Sequence, residues 1–429
     1  MIEINMNLEV KKITAFLFGL LSCTNCVYLF TVGNTPIMAI EVLGVLTCML
    51  YCFSNVKLFQ GVYKLLPSSL TIFILGCILS VFSVIINISY FYQWLVGIIS
   101  LFLQVFIIIS VILLKDEKRF LVYGLATGIF INVIIVLIAW LFYLRGINFL
   151  FSNLFPKVNA GIPYLGNAYA VRGMFKEQGH LMRFMAISFF IILFEFRKKH
   201  SSYLFLSLLI SFIMMIFTRS AVLLYFVIGF AVYWIILNYR KPRLIFPTIV
   251  IILFAVLLIY LLRGKVSFID VAINSFVEGF TDIGNDSIGS GNSIRLQGMR
   301  YTIEIIKDYP IIGCGWNLLT KMFMKYGFYG ADNVVGSYSG LLSLIATIGC
   351  WTIFYVYFIL SSSYKSLRSK TNLLEIGISL LVYLVIFSST DYILDGGVSM
   401  LLGFSISLIN KKSSLQKGIH FNDYNKNSF

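Results

Sequence analysis

The chain has 429 residues, of which 59% are hydrophobic and 12% are charged, and its mean hydropathy is +0.92. Soluble domains are about half apolar and about a quarter charged, so this composition excludes a cytosolic globular enzyme. Lysine and arginine outnumber aspartate and glutamate 33 to 18, which gives a net charge of +15. In so apolar a chain this excess is expected to sort by membrane side, and we expect no nucleic acid partner.

Twelve apolar segments follow one another along the chain, and a membrane-spanning helix needs about 20 apolar residues. They predict an all-α polytopic membrane protein of about 12 transmembrane helices. Residues 1–429 then form one membrane domain with two long extracytoplasmic loops, at 145–180 and 263–340. Because three of the segments are short, eleven spans or a re-entrant segment are alternatives. The predicted spans are Ile13–Val32, Pro36–Ser54, Ser68–Ile88, Tyr92–Leu114, Phe120–Leu144, Leu181–Phe196, Ser201–Thr218, Ala221–Leu237, Leu244–Leu262, Leu341–Leu360, Leu373–Thr390 and Val398–Ile409.

The positive charges sort by side when the N-terminus is placed in the cytoplasm and the spans alternate. The cytoplasmic tails and short loops then hold 20 basic residues, whereas the four short outer loops hold one, Arg219. An excess of lysine and arginine marks the cytoplasmic side of a membrane protein. We therefore predict that both termini are cytoplasmic.

Motifs for cofactors are missing from the sequence. The chain has no Walker loop, dinucleotide fingerprint or HExxH motif, so ATP-driven transport and zinc hydrolase chemistry have no support. Cys23 and Cys26 lie in an apolar segment without a second pair, which favours packing over a zinc site. We expect no metal and no cofactor.

The first long loop ends in a charged run that leads straight into a span. Arg172, Glu177, His180 and Arg183 lie within twelve residues of one another and are expected at the outer face of the bilayer. Arg172 lies in a glycine-spaced segment, where the backbone can approach a ligand closely. An interfacial arginine can also snorkel to lipid headgroups, which is an alternative for Arg183.

Arg219 is the middle residue of Thr218-Arg219-Ser220, the whole connection between two predicted spans. Ionisable groups between spans are functional candidates because their desolvation is costly. The alternative is an arginine that bonds the last carbonyl groups of its own helix. Because the other short outer loops hold no basic residue, we favour the functional interpretation.

The second long loop contains a predicted helix near residues 293–309. At 100° per residue, Arg295 lies at the edge of its apolar stripe, whereas Arg300 lies four residues before Glu304 on the far side. That spacing is typical of a solvated ion pair, so we expect Arg295 rather than Arg300 to face the bundle. The stripe itself consists of Leu296, Met299, Ile303 and Ile306.

Arginines at an outer membrane boundary predict an anionic lipid substrate. A guanidinium binds phosphate through a planar fork and stays charged at any relevant pH. A lipid diphosphate would place its tail among the spans and its headgroup in the loops. Aromatic residues make up 16% of the chain; most pack the spans, but interfacial Tyr and Trp also suit stacking against sugar faces.

Four short motifs resemble those of a known superfamily. In chain order they are Arg172-Gly-Met-Phe, Thr218-Arg219-Ser220, Ser293-x-Arg295 and Asp308-Tyr-Pro310-Ile-Ile-Gly313-Cys-Gly315. Together they resemble the bacterial O-antigen polymerase and ligase superfamily, and within it the Wzy-type polymerases of O-antigen and capsule repeat units. The resemblance covers the topology of most of the chain, while the motifs span short stretches.

The resemblance implies a GT-C-like glycosyltransferase bundle in the bacterial inner membrane. Such a polymerase transfers the growing glycan from undecaprenyl diphosphate, without a metal, onto the next lipid-linked repeat unit. Its partners are the donor and acceptor glycans, membrane lipid and a chain-length regulator. Arginines would stabilise the charge on the leaving diphosphate. The implied catalytic residues are Arg172, Arg219, Arg295 and Glu177, and the implied substrate-binding residues are Arg183, Arg300, His180, Asp332 and Tyr338.

The general base stays open at this point. Ligases carry His-Asn before the span that follows the second long loop, where this chain has Tyr338 and Ser339, and the missing histidine argues against a ligase. Glu177, Asp332 and His180 are the outer-face candidates, of which we favour Glu177. Asp332 also fits a turn, and arginines nearby would lower the pKa of Glu177 and weaken it as a base. A ligase and a lipid-linked-sugar flippase are the alternative functions.

Overall fold

The computed structural model describes most of the apolar part of the chain. The predicted span Leu244–Leu262 and most of both long loops lie outside the described residues. Those residues are 8–24, 27–32, 35–54, 65–85, 88–147, 164–165, 168–169, 171–175, 178–218, 222–238, 291–327, 337, 339–369, 373–389 and 394–409.

The described chain is built from helices, with two short antiparallel strand pairs. The strands are β1 (Tyr28–Val32), β2 (Thr35–Met38), β3 (Tyr164–Leu165) and β4 (Ala168–Tyr169). The helices are α1 (Leu8–Ser22), α2 (Ala39–Ser54), α3 (Ser68–Leu79), α4 (Val81–Ile85), α5 (Phe91–Leu113), α6 (Lys118–Leu144), α7 (Gln178–Lys199), α8 (Ser202–Phe217), α9 (Val222–Asn238), α10 (Gly291–Asp308), α11 (Leu319–Lys325), α12 (Gly340–Ile348), α13 (Thr352–Arg368), α14 (Leu374–Ser389) and α15 (Gly396–Ile409).

The helices have the length and composition of membrane spans. Within the described residues, the segments long and apolar enough to cross a bilayer are Ser68–Ile85, Ile88–Leu113, Lys115–Leu144, Gly179–Lys199 and Gly340–Arg368. The helices α2, α8, α9, α14 and α15 are apolar but shorter. Large apolar side chains such as Leu137, Phe205 and Ile228 are exposed, as expected of surfaces that face lipid. The protein is therefore an all-α, multi-pass membrane protein, as its composition predicts.

The first predicted span, Ile13–Val32, is wrong in its second half. The helix ends at Ser22, and β1 then pairs with β2 in an antiparallel hairpin. Aromatic and β-branched residues in β1 favour a strand. The two residues between the strands are Gly33 and Asn34, a turn sequence typical of hairpins. Hydropathy does not separate such a strand from a continuing helix.

Two of the predicted spans are broken helices. The third breaks at Ser80, between α3 and α4, and the tenth breaks at Gly349, between α12 and α13. Gly349 has a φ of +61°, which residues with a Cβ rarely adopt. Backbone groups released by the second break bond elsewhere, since the amide of Cys350 donates to the carbonyl oxygen of Ile311 at 3.2 Å.

Close glycine contacts join α1 to α6. Gly19 of α1 lies against the backbone of Leu121 and Leu125, and Gly124 and Gly128 of α6 lie against the backbone of α1. Small residues spaced four apart let membrane helices approach this closely. The contacting positions rise together along both helices, so α1 and α6 run parallel, as the first and fifth spans of an alternating bundle should.

A buried ion pair joins three helix ends. Arg197 at the end of α7 pairs with Glu375 in the first turn of α14, and the hydroxyl of Tyr233 near the end of α9 donates to the same carboxylate at 3.0 Å. Glu375 is 1% exposed, and a buried carboxylate needs such partners. The ends of α7 and α9 and the start of α14 therefore lie on one side of the bundle, as alternation of the sixth, eighth and eleventh predicted spans requires.

The described part of the second long loop begins at Gly291 and packs against α12. The contact forms a small hydrophobic core of its own. Its members are Ile305, Cys314, Met322, Phe323 and Ala346. The helix α10 at its centre begins at Gly291, two residues earlier than the predicted start. The segment therefore presents a packed surface to the bundle.

The predicted apolar stripe of α10 is rotated relative to the observed one. Gly298, Thr302 and Ile305 face the core, whereas Ile303, which the sequence places in the stripe, is 43% exposed. Thr302 is fully buried. Its hydroxyl tolerates burial because it donates to the carbonyl oxygen of Gly298 at 2.6 Å, within its own helix. The contact is thus formed by Gly298, which is small, and by Thr302, whose hydroxyl is hydrogen-bonded within the helix. A search for apolar periodicity does not detect either residue.

Candidate functional site

Residues 171–175 form a tight turn buried in the bundle, here called the Arg172 turn. The amide of Phe175 donates to the carbonyl oxygen of Arg172 at 3.0 Å, and Gly173 between them has a φ of +53°. Arg172 is 4% exposed. A guanidinium keeps its charge, so burying it is costly. An ionisable group held inside a membrane bundle is a functional candidate for this reason.

Asn132 of α6 holds the turn in place. Its Nδ2 donates to the carbonyl oxygens of Cys23 and Gly128, both at 3.0 Å, and its Oδ1 accepts from the amide of Met174 at 2.7 Å. A Cβ at Gly173 would collide with the Asn132 amide. Asn132 comes 14 residues after the start of α6, about 21 Å along the helix. The turn therefore lies well inside the bundle and not at the end of α6.

The start of α7 lies beside the turn. The Phe175 and Phe184 rings pack together with their centroids 5.5 Å apart, which joins the turn to the second turn of α7. His180 and Arg183 on the same stretch are half-buried. The Arg183 guanidinium lies over Gly179, 3.6 Å from where a Cβ would stand. The structure thus brings the predicted residues Arg172, His180 and Arg183 into one region.

An apolar groove of about 370 Å³ opens beside the turn, between α6 and α8. Val171, the residue before Arg172, forms part of its wall together with Trp140, Met214 and Phe217. An apolar groove whose wall includes the neighbour of a buried arginine is compatible with an amphiphile that has an apolar tail and an anionic head.

The segment that follows α10 docks on the break between α12 and α13. The amides of Cys314 and Gly315 donate to the carbonyl oxygens of Ala346 and Thr347 at 2.8 and 3.0 Å. Gly313 has a φ of +77°, and a Cβ there would collide with the backbone of Thr347. The glycines of the Pro-x-x-Gly-x-Gly motif therefore have a structural task, which is to let the chain reach the break and to hold α10 over the bundle.

The charges of α10 that the structure describes are exposed, among them Arg300, Glu304 and Lys307. That Arg295 faces the bundle stays a prediction. The Arg295 side chain itself lies outside the described part.

Two ionisable groups of the α10–α11 core are held in their protonated forms. Burial raises the pKa of the Cys314 thiol to about 12. Burial, and then the hydrogen bond and charge of Asp308, raise the pKa of the Tyr326 phenol. Neither group is poised to accept a proton near neutral pH. Across the described residues, no three metal-ligating side chains come together.

A known family matches the central part of the chain. Residues 204–357 match the Wzy_C family model, which is described as O-antigen ligase. The matched segment is similar to proteins of this family and covers about a third of the chain. It covers α8 to α12 and the glycine motif after α10, while the Arg172 turn precedes it. No curated protein matches the chain.

The O-antigen ligase and polymerase superfamily consists of membrane glycosyltransferase-like enzymes that act on lipid-linked glycans. The buried arginine beside an apolar groove is a site of the kind that such a substrate needs.

Several predicted site residues lie outside the described residues. They are Arg219, Glu177, Asp332 and Tyr338, and their roles stay predictions. Sequence reasoning missed Asn132, which positions the Arg172 turn, and Gln104, which lines a second cavity. Both are polar amides in the middle of otherwise apolar spans. Burying a polar side chain in a membrane is costly, so such a residue is a signal of function that the sequence alone shows.

Proposed function

We propose that the protein polymerises undecaprenyl-diphosphate-linked oligosaccharide repeat units into O-antigen or a related surface polysaccharide. The reaction takes place at the outer face of the bacterial inner membrane, with both termini of the chain in the cytoplasm. The family match supports a lipid-linked glycan substrate. The observation that carries the proposal is Arg172, 4% exposed, directly after Val171, which lines an apolar groove.

The groove is suited to the polyprenyl chain of the donor, and the arginines to its diphosphate. Val171 precedes Arg172 in the sequence, and Phe217 precedes Arg219 by two residues; both apolar side chains line the groove. We expect both arginines near this groove, because each follows a groove-lining residue closely in the sequence. Guanidinium groups bind phosphate oxygens through two parallel hydrogen bonds.

The transfer needs charge stabilisation and a base. An acceptor hydroxyl attacks the anomeric carbon of the donor sugar, the new glycosidic C–O bond forms, and the bond to the diphosphate breaks. Undecaprenyl diphosphate leaves with the electron pair, which fixed arginines stabilise. The proton of the hydroxyl goes to a base; Glu177, His180 and Asp332 are the candidates, with Glu177 favoured.

The polymerase is favoured over the ligase by one sequence feature. Tyr338 and Ser339 stand where ligases carry His-Asn, so the histidine base of a ligase is replaced by a phenol. The family description, O-antigen ligase, keeps the ligase as the second candidate.

The test is the size distribution of surface polysaccharide in a strain that lacks the gene. Complementation with the wild type should restore a ladder, whereas Arg172→Ala should leave single repeat units, since one lost electrostatic donor costs about 10²–10³ in rate. Arg172→Lys keeps the charge but not the planar fork and should give a shortened ladder. Arg119→Ala, on the exposed start of α6, is the matched control.

Each alternative predicts a different outcome on the same gel. A normal ladder from Arg172→Ala, at wild-type protein level in the membrane, would remove Arg172 from the site. A ligase predicts that the deletion strain attaches not even one repeat to its surface acceptor. A flippase predicts that lipid-linked repeats accumulate on the inner leaflet.

A further inference from the structure

A second cavity, of about 350 Å³, lies between α5, α12 and the segment before α11. It is separate from the groove beside the Arg172 turn, which lies between α6 and α8. The residues that matter for its chemistry are Ser100, Gln104, Trp316, Asn317 and Thr320. They supply hydroxyl and amide groups and one aromatic ring.

The chemistry of the cavity is polar but neutral. Of the residues that the structure places in its wall, none carries a charge. A diphosphate needs cationic partners, so this cavity does not suit the headgroup that the Arg172 turn suits. Neutral hydrogen-bonding groups around an aromatic ring suit a sugar residue instead.

Gln104 is fixed at the inner end of this cavity by two neighbouring helices. Its Nε2 donates to Oε1 of Glu41 in the first turn of α2 at 2.5 Å, and its Oε1 accepts from the hydroxyl of Ser399 in α15 at 2.9 Å. Gln104 and Glu41 are each 5% exposed. A carboxylate only accepts hydrogen bonds, so the contact with Glu41 fixes which end of the amide carries the protons.

This arrangement leaves Gln104 able to bind a hydroxyl group. A primary amide has two donor hydrogens and two acceptor lone pairs, and the bonds to Glu41 and Ser399 use one of each. A donor and an acceptor on one rigid amide match a sugar hydroxyl, which both donates and accepts. The cavity therefore holds a preoriented hydrogen-bonding pair at low conformational cost.

Trp316 is held equally firmly along the wall. Its amide donates to the hydroxyl oxygen of Ser80 at 3.0 Å, and its indole N–H donates to the carbonyl oxygen of Gly97 at 3.0 Å. Ser80 is fully buried at the break between α3 and α4. The broken helix thus supports the aromatic wall, and a fixed ring loses little entropy when it stacks on a sugar.

The cavity and the Arg172 turn lie on two sides of the start of α15. Gly397 at this start lies against the Phe184 ring, and Phe184 packs on Phe175 of the turn. On the other side, Leu394 lines the cavity. The start of α15 thus adjoins the surroundings of both places.

We propose that this cavity binds a sugar residue of the lipid-linked glycan, with Gln104 as the binding residue and Glu41 as its positioning residue. The inference rests on the proposed function for the identity of the glycan. It assigns sugar recognition and diphosphate recognition to two separate places in the bundle.

The test is direct binding of a free oligosaccharide that carries no phosphate. The probe is a single repeat unit prepared by partial acid hydrolysis of the surface polysaccharide of the source bacterium, and the full-length protein is studied in lipid nanodiscs. Gln104→Leu should weaken binding about tenfold, since two hydrogen bonds are lost and about 1.4 kcal/mol corresponds to a factor of ten. Glu41→Leu should weaken it less, because the amide is then present but free to rotate.

Two control variants make the test selective. Gln93→Leu changes the same residue type on α5 at a half-buried position outside the wall, and should bind as the wild type does. Arg172→Ala should also bind the free oligosaccharide normally, because the probe has no phosphate. Thermal unfolding of every variant shows whether the fold is intact.

The outcomes separate this inference from the proposed function. Equal affinity of the wild type and Gln104→Leu, or no binding by the wild type, would overturn the inference and leave the result for Arg172 on the gel unchanged. Equal weakening by Arg172→Ala and Gln104→Leu would show one shared site and overturn the separation. A normal ladder in the deletion strain would overturn the proposed function without touching the binding result.

Discussion

Replacing Asn132 by leucine tests whether one amide positions the Arg172 turn. Leucine has a similar volume, so the packing of α6 is kept, but all three hydrogen bonds of the side chain are lost. The amide of Met174 and the carbonyl oxygen of Cys23 then lose their bonds to Asn132 in a buried region. The turn should open more often, while the helices around it stay folded.

The size of the effect follows from the groups that lose their partner. A buried polar group left unsatisfied costs about 1–3 kcal/mol, while a side-chain hydrogen bond between membrane helices is worth about 0.6 kcal/mol on average. The amide of Met174 is the group that the opening turn can expose, so we take about 1–3 kcal/mol for the opening equilibrium. Because 1.4 kcal/mol is a factor of ten, the open population should rise about 5- to 150-fold.

Thiol labelling measures this opening. Met174 is 5% exposed, so a Met174→Cys background should react slowly with a maleimide, and the added Asn132→Leu change should speed the reaction by the same factor. Thr127→Val is the matched control, since it removes the hydrogen bond from α6 to Tyr203, 2.8 Å long, without touching the turn. Mass spectrometry locates the label, and a polysaccharide gel should show that Asn132→Leu shortens the ladder.

Equal labelling rates with and without Asn132→Leu would refute the reasoning, provided that both proteins unfold at the same temperature. A much lower unfolding temperature would instead show that Asn132 stabilises the whole bundle. In that case the ladder should fail in proportion to the amount of folded protein. The two results are distinguishable because labelling at one site and global unfolding are measured separately.

Two further predictions concern the fold. Gly313→Ala should lower the unfolding temperature clearly more than Gly327→Ala. Both glycines have a positive φ, +77° and +79°, which costs an alanine about 1–2 kcal/mol. Of the two, only Gly313 also lies against the backbone of a neighbouring helix, with which a Cβ would collide. Arg197→Met should destabilise the protein by about 3–5 kcal/mol, because it leaves the buried Glu375 carboxylate without its charged partner. Glu375→Leu should destabilise it less, because the Arg197 side chain is 32% exposed and solvent screens its charge. The double variant should lose less than the sum of the two; additive losses in thermal unfolding would argue against the pair.

The sequence predicts the membrane architecture well because hydropathy and charge act locally. Among the described residues, most predicted spans coincide with apolar helices to within a few residues, and the contact of Arg197 with Glu375 agrees with the predicted alternation of sides. The breaks at Ser80 and Gly349 were not predicted, because an apolar run does not show where backbone groups find partners outside their own helix. Those partners, such as the carbonyl oxygen of Ile311 for the amide of Cys350, are distant in sequence.

The sequence predicts which residue types form the candidate site better than it predicts where they lie in the bundle. Arg172 was expected at the outer boundary, whereas Asn132 holds its turn about 21 Å along α6 from the helix start. Periodicity also misplaced the buried side of α10, since Gly298 and Thr302 pack there for their small size and internal hydrogen bond. Such positions depend on how the surfaces of two helices fit together. The apolar pattern of one helix does not contain the shape of its partner.

The broken and shortened helices have a common physical consequence. Inside a membrane, backbone outside a helix is tolerated only where it is buried in protein or lines a water-filled cavity. The cavity that contains Gln104 is lined by Trp316, whose amide hydrogen-bonds Ser80 at the first break, by Thr347, two residues before Gly349, and by Leu394, two residues before α15. We infer that this half of the bundle is built to admit a hydrated, hydroxyl-rich group among the spans, while the groove beside Arg172 stays open to an apolar chain. A glycosyltransferase that uses lipid-linked glycans needs both environments within the reach of one substrate.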